Sequence, residues 1–465
     1  MRKTTHSKRY DISSGRAIYV DYTNGSDTGN GSASTPLKTI TAVNALKLRL
    51  RDMVMFKRNE VWGGVTLNVS KSGVSGKPII FDAYDSGSNP IIKAGNIGGA
   101  YQSNAIKIDG VHDISIRNIY SQYAATNQEV IRIVDSNNIE IDSCTVEGDN
   151  STRQDGLNIF STLAKTKSYR IRISKVTAFN NKCTTWGGNG IGSGSDYFPA
   201  ASEVTIEDCV AYSNGTSTSG DHGIYLSKTV NSIIARTTTY NNTASGVKLN
   251  TCQNCKVFGN YGYNNKYGIY LSCEYETNSS GNKVFNNLEY NNQDGIYITW
   301  VAPAKVINNE FYHNTMVMNG RNDGNPGGFV VNPSLLDWGN GGANIVKNNI
   351  MYSDYLVNAY GVPVYVGDNL AFTNNVWDNN LVYYSSKTDK VARTTTNLTF
   401  AAYQALGADP HGISANPVFV NQISNWHLQT TSPCKAAGAT GLDVLTDYDG
   451  VVRGAAVDIG AYEYV

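Results

Sequence analysis

Lys248 stands at the variable position of the phrase Ser245-Gly246-Val247-Lys248-Leu249, and the same position is Tyr225 in His222-Gly223-Ile224-Tyr225-Leu226 and Tyr270 in Tyr267-Gly268-Ile269-Tyr270-Leu271. An amine between two phenols is partly withdrawn from water, which disfavours its charged form and draws its pKa toward neutrality. A neutral amine accepts a proton. That suits β-elimination in a uronic-acid polymer: a base removes the proton alpha to the carboxylate, a positive group stabilises the enolate-like intermediate, and an acid helps the glycosidic oxygen leave. Lys248 is the candidate base, with Tyr225, His222 or Tyr270 as acid or charge stabiliser. The competing reading is a solvated surface lysine.

These residues are neighbours only if the chain stacks its repeats. Gly-apolar-x-apolar phrases recur around Gly156, Gly190, Gly223, Gly246, Gly268 and Gly295, at intervals of 34, 33, 23, 22 and 27 residues. Between them come second strands such as Ile171-Arg172-Ile173 and Lys256-Val257-Phe258, then a third beat ending in Phe179-Asn180-Asn181, Tyr240-Asn241-Asn242, Tyr263-Asn264-Asn265 or Tyr290-Asn291-Asn292. Each unit is three short strands whose alternation points Ile, Leu and Val inward. One unit cannot bury its apolar side, whereas copies stacked about 4.8 Å apart build a continuous core. Asn at the corners adopts the left-handed conformation and bonds adjacent rungs, a structural role. The one helical pattern, Thr39 to Leu46, is expected to cap the open N-terminal end, since a bare solenoid edge invites aggregation.

Stacking generates two outward columns. One reads Asn158, Gly192, Tyr225, Lys248, Tyr270, Tyr297; its neighbour reads Asp155, Asn189, His222, Ser245, Tyr267, Asp294. Nine residues separate Asn181 from Gly190 and Asn214 from Gly223, against three or four in later units, so two rungs carry inserted loops, one with Trp186 and one with Asp221. Insertions on one side of a solenoid build its binding face. The substrate contacts expected there are Asp155, Asn158, Trp186, Asn189, Tyr267, Asp294 and Tyr297. Asp155 and Asp221 fall two rungs apart, roughly 10 Å, near the roughly 6.5 to 9.5 Å carboxyl separation of inverting glycosidases. Hydrolysis is therefore the alternative chemistry, and a turn-capping role for Asp221 the structural one.

Composition narrows the partners. With 38 basic and 38 acidic side chains among 465 residues, no global charge favours nucleic acid. Charged residues are only 16% of the chain, and 45 Gly, 30 Tyr and many Asn, Ser and Thr give a polar, non-ionic surface that suits sugar hydroxyls and pyranose faces. No apolar run is long enough for a membrane span. The basic start, Met1 to Arg9, is followed by no hydrophobic segment and does not read as a secretory signal. Cys144 and Cys209 occupy small apolar positions of the repeat and read as core; Cys252-Gln253-Asn254-Cys255 without a second pair is weak evidence for a metal.

Tyr19-Val20-Asp21-Tyr22-Thr23-Asn24-Gly25-Ser26-Asp27 followed by Gly31 to Ile40, together with Asn416-Pro417-Val418-Phe419-Val420, Trp426-His427-Leu428, Ser432-Pro433-Cys434 and Val457 to Tyr464, resembles the right-handed parallel β-helix superfamily of pectate and alginate lyases, polygalacturonases and phage tailspike depolymerases. The resemblance implies an all-β fold, a single-stranded right-handed parallel β-helix with three strands per coil, an N-terminal helical cap and a C-terminal capping segment. Lyases of this superfamily use a lysine base, often with calcium held by carboxylates, for which Asp155, Asp221 and Asp294 are in reach; no cofactor is required by the sequence itself. The chain departs from the pattern in lacking a compact Asp-Asp-x-x-Asp cluster and in carrying Tyr270 rather than arginine one rung past Lys248. Gly220-Asp221-His222-Gly223 is loosely similar to a polygalacturonase motif whose companion signatures are missing. Asp409-Pro410-His411 is similar to a mannuronan epimerase motif but lies beyond the repeats, and Asp447-Tyr448-Asp449-Gly450 reads as a tight turn.

The expected organisation is a basic tail over 1–16, an N-terminal cap with the first coils over 17–104, the helical core with its groove over 105–386 and a C-terminal capping segment over 387–465. The expected function is cleavage of an acidic polysaccharide by a lyase. Alternatives are a glycoside hydrolase using carboxylates of the same face and a non-catalytic adhesin or virion receptor-binding protein. An extracellular or virion-borne location follows, with a monomer favoured and a trimer expected of a tailspike.

Overall fold

The computed structural model describes residues 15–94, 96–97, 100–101, 104–123, 128–148, 154–162, 168–182, 187–195, 197–216, 220–301, 304–319, 328–331, 343–353, 363–366, 375–385, 388–393 and 397–465. The chain divides into two compact units, residues 2–233 and 234–465. In each, short strands follow one another around a coil and pair in parallel with the equivalent strands of the next coil, so that three sheets run side by side along the stack.

In the N-terminal unit one coil runs Gln128–Val134, Asn137–Asp142 and Thr145–Glu147, and the next Gln154–Phe160, Ser168–Ser174 and Thr177–Phe179. Their register sets Ile131 on Leu157, Ile139 on Ile171 and Val146 on Ala178. All six are buried, as the alternation demands. Cys144 and Cys209 lie in this core as expected, and burial pushes both thiols up to about 12. Parallel stacking already includes Ala17–Val20 on Met53–Lys57. The helix expected over 39–46 is present as Ile40–Asn44, with the Thr39 hydroxyl accepting from Ala42 N and with Ile40 and Val43 buried. It ends early because Asn44 turns to the sheet, donating to Thr66 O at 2.8 Å and accepting from Asn68 N at 3.0 Å.

In the C-terminal unit the coil Ser245–Asn250, Lys256–Phe258, Tyr261–Tyr263 is followed by Tyr267–Cys273, Lys283–Phe285, Leu288–Tyr290, with Val247 on Ile269 and Val257 on Val284. The corner asparagines do what their type allows. Asn241, Asn264 and Asn291 have φ of 53°, 55° and 52°, a conformation Asn tolerates better than most residues. Their successors turn inward and stack, Asn242 donating to Asn265 and Asn265 to Asn292. A longer ladder runs Asn260, Asn287, Asn314, Asn349, Asn380, each side-chain amide donating to the next carbonyl at 2.9 to 3.0 Å. Asp409 takes the last place, accepting from Asn380 N at 3.0 Å and Nδ2 at 3.2 Å. Its resemblance to a catalytic motif thus coincides with a structural end-stop.

A carboxylic acid interrupts the apolar interior. Glu289 lies over Gly262 and is fully buried, with Asn292 Nδ2 donating to it at 3.1 Å; burial raises its carboxyl well above the usual range. Room for it comes from missing side chains, because a Cβ on Gly268 would sit 1.9 Å from its Oε2.

The C-terminal segment packs on the outer side of the third sheet: Phe419, Trp426, Leu428, Ile459 and Tyr462 cluster with Leu288, Val317, Ile350, Tyr352 and Leu381. It is stitched to successive rungs by Asn286 Nδ2 to Thr446 O at 2.7 Å, Ala461 N to Thr315 Oγ1 at 2.9 Å, Asn348 Nδ2 to Ala439 O at 2.9 Å and Asn379 Nδ2 to Ala437 O at 3.0 Å. Asp447 closes a turn, accepting from Val451 N and Glu463 N. Among the described residues no helix is long and apolar enough to cross a membrane.

Candidate functional site

Register assigns the expected site residues to two groups, one in each unit. In the N-terminal unit Leu157, Ile191 and Ile224 stack, which brings Asp155, Asn189 and His222 onto successive rungs. Asp155 Oδ1 accepts from Gly188 N at 2.8 Å, Asn189 N at 2.9 Å and Asn189 Nδ2 at 3.0 Å, while Oδ2 accepts from Asn158 Nδ2 at 3.0 Å. Asn189 Oδ1 in turn accepts from His222 N at 3.0 Å. The column is a hydrogen-bonded ladder. Asp155 is its anion, holding the backbone that leads into the Ile191 rung.

Asp221 is only 1% exposed and accepts from Thr216 N at 2.9 Å, so it does close its own loop. Burial, and secondarily the charge of Asp155, push its carboxyl up to about 6. Beside it His222 is buried, with its ring 5.1 Å from the half-buried Tyr225 ring. A buried acid near neutrality can hold a proton and release it, which is the requirement for general acid catalysis. Trp186 lies outside the described residues.

In the C-terminal unit Lys248 pairs with Tyr270 across the strands, and Tyr270 with Tyr297. The ammonium lies 4.5 Å from the centre of the Tyr270 ring and 2.8 Å from Glu274 Oε1. Lys248 is 6% exposed, further withdrawn from water than its place beside tyrosines implied. Glu274 is clamped to the same strand: Asn250 Nδ2 donates to its Oε2 at 3.0 Å, and its own N–H donates to Asn250 Oδ1 at 3.2 Å. Burial lowers the Lys248 pKa and the Glu274 charge opposes this, burial prevailing. Tyr267, Tyr270 and Tyr297 pack together, with ring centres 4.5 to 5.2 Å apart. Asp294, buried, stands opposite Tyr267.

For calcium the donor set fits poorly. Asp155 is ringed by N–H donors, which suit an anion rather than a cation ligand, and among the described residues no three His, Cys, Asp or Glu side chains gather to hold a metal.

Residues 161–290 match the family model described as right handed beta helix region. The solved structure of pectate lyase Pel9A superposes with a TM-score of 0.54 at 14% identity, over 97% of this chain and 98% of that one. The fold is a right-handed parallel β-helix. XylC in complex with xylose aligns over the same shares, 97% and 98%, with a TM-score of 0.52 at 11% identity. A mannuronic acid specific polysaccharide family 6 lyase from human gut microbiota aligns over 86% and 91%, with a TM-score of 0.52 at 12% identity. At these identities the likeness speaks for the β-helix alone. In sequence, 124 residues are 31% identical to the uncharacterized protein YwoF of Bacillus subtilis (strain 168), 26% of this chain and 25% of that protein, so the match spans a quarter of the relative.

Two features of the β-helix face escaped the sequence reading. Glu274 follows the end of a strand, where repeat spacing sets no register. Lys107 and Arg132 occupy the outward column beyond Asn158, but their phrases, Ala105-Ile106-Lys107-Ile108 and Val130-Ile131-Arg132-Ile133, lack the glycine that marks the others. Extending the apolar-x-apolar count without the glycine finds both.

Proposed function

We propose that this β-helix is a polysaccharide lyase that cuts a uronic-acid-containing glycan by β-elimination, with Lys248 as the proton acceptor. The observation that carries the reading is Lys248 itself, almost wholly withdrawn from water, lying on the Tyr270 ring with Glu274 as its carboxylate partner. Burying an ammonium is costly and draws its pKa down, and a lysine in that state is a base in waiting. The neutral amine takes the proton alpha to the uronate carboxylate, and the electron pair moves into an enolate-like form. Expulsion of the glycosidic oxygen then leaves a C=C bond at the new end. Tyr270, on whose ring the amine lies, is the candidate proton donor to the leaving oxygen, and Tyr267 and Tyr297 offer flat faces for the sugar rings. A pectate lyase and a mannuronic acid specific lyase are among the proteins built on the same fold. This reading places the protein outside the cell, where a monomer is favoured, or on a virus particle, where a trimer is expected.

The test is incubation with a panel of acidic glycans, following ultraviolet absorbance of the new C=C bond alongside reducing ends. Both signals are expected together, and Lys248→Ala is expected to abolish them. Turnover that survives Lys248→Ala unchanged removes Lys248 as the base.

Asp221 supports a second reading, glycoside hydrolysis, because a buried acid raised to about 6 feels the charge of Asp155, whose carboxylate accepts from Gly188 N and Asn189 N. Reducing ends without absorbance, lost in Asp221→Asn and retained in Lys248→Ala, would select it.

A further inference from the structure

The outward column of the N-terminal unit reads, rung by rung, Asn68, Lys107, Arg132, Asn158, Gly192, Tyr225. Two consecutive rungs thus present a cation at the same place on the same face. Arg132 is held in position: its guanidinium carbon lies 5.3 Å from the centre of the Phe160 ring, and Glu129 accepts from Nη1 at 3.0 and 3.3 Å. Glu129 thereby fixes the plane of the group while leaving the Nη2 and Nε edge to other acceptors. That edge is the fork that matches a carboxylate. The side chain is 26% exposed, so the fork can be reached. Lys107, more exposed, pairs with Asp109 at 3.0 Å. One rung beyond Arg132, Asn158 gives its amide N–H to Asp155, while its Oδ1 is buried without a hydrogen-bond partner.

We propose that Lys107 and Arg132 form a carboxylate-binding subsite on this face, one cation per rung, for an acidic glycan lying along the stack. The rise of about 4.8 Å per rung is close to the length of one sugar residue in an extended chain, so neighbouring cations meet neighbouring sugars. A polyphosphate is the poorer fit: it demands a dense basic stripe, whereas each cation here already has a carboxylate beside it and the chain has no net charge. The sugar part of this proposal rests on the glycan reading; the carboxylate part rests on the register and the oriented guanidinium.

Calorimetry with oligogalacturonate, oligomannuronate and their carboxyl-reduced counterparts tests it. The wild-type chain is expected to bind at least one acidic oligomer more tightly than its reduced form. Loss of a charge-assisted pair typically costs tenfold or more. Arg132→Gln is therefore expected to weaken acidic binding by roughly tenfold or more, Lys107→Gln by less, and neither to change binding of the reduced oligomers. If Arg132→Gln fails to fold, Arg132→Lys, which keeps the charge but loses the fork, is expected to give an intermediate loss. Unchanged acidic binding in the variants, equal loss for reduced oligomers, or no wild-type binding of either acidic oligomer overturns the subsite. Elimination product with Arg132-independent binding would discard the subsite and keep the proposed reaction. Arg132-dependent binding without product would do the reverse.

Discussion

The asparagine ladder makes a quantitative prediction at its last member. Asp409 is fully buried, and burial, with a smaller contribution from Asp378, pushes its carboxyl from 3.8 up to about 7 against the hydrogen bonds from Asn380. Because folding raises this pKa, the contribution of the group to stability is intact below about pH 4 and is lost as the pH climbs toward 7. At ~1.4 kcal/mol per tenfold change in proton affinity, keeping it protonated costs the folded state about 4 kcal/mol at pH 7 and under ~1 kcal/mol at pH 4. Asp409→Asn removes the charge and supplies the residue that the five preceding rungs use, at a φ of 52° that Asn accepts. The substitution should thus stabilise at neutral pH by up to about 4 kcal/mol, on the order of 10 °C in Tm for a cooperative unit of this size, and by little at pH 4. Thermal unfolding of both chains from pH 4 to 8 checks it. A difference in Tm that does not grow with pH, or a variant less stable at pH 7, refutes the reasoning.

Glu289→Gln should behave likewise, since the carboxyl inside the core is also raised: stabilising at pH 7, near neutral in effect at pH 4, read by urea midpoints at the two pH values. Gly268→Ala should destabilise the chain strongly because its Cβ would strike the Glu289 carboxyl and the Gly295 carbonyl; soluble yield and Tm report it. Glu274→Gln removes the charge that opposes the fall in the Lys248 pKa, so the acidic limb of the kcat/KM profile should move to lower pH. An unmoved limb would separate Glu274 from the base.

How much of this was legible in the sequence depends on what repeats. Strand period and coil order could be read because Val247, Ile269 and Ile296 must all face the same core, and a one-residue slip would expose them all. The same logic placed Lys248 beside Tyr270. It failed for Glu274, which follows a strand end, and for Lys107 and Arg132, whose rungs lack the marker glycine. Asp409, rightly set apart from the groove, could not be given its structural role for a related reason: it joins the ladder after a helix, Phe400–Ala405, and no constant interval from Asn380 announces it. The corner asparagines were readable, because their preference for the left-handed region and their amide chemistry point to one role.

The stitching of the C-terminal segment to the rungs of Asn286, Thr315, Asn348 and Asn379 has a mechanical consequence. It acts as a splint. A pull that separates coils along the stack loads these bonds in shear and together, instead of peeling them one after another, so the rungs it spans resist stretching as a block. Tension on this half of the molecule would then yield first at coils the splint does not reach.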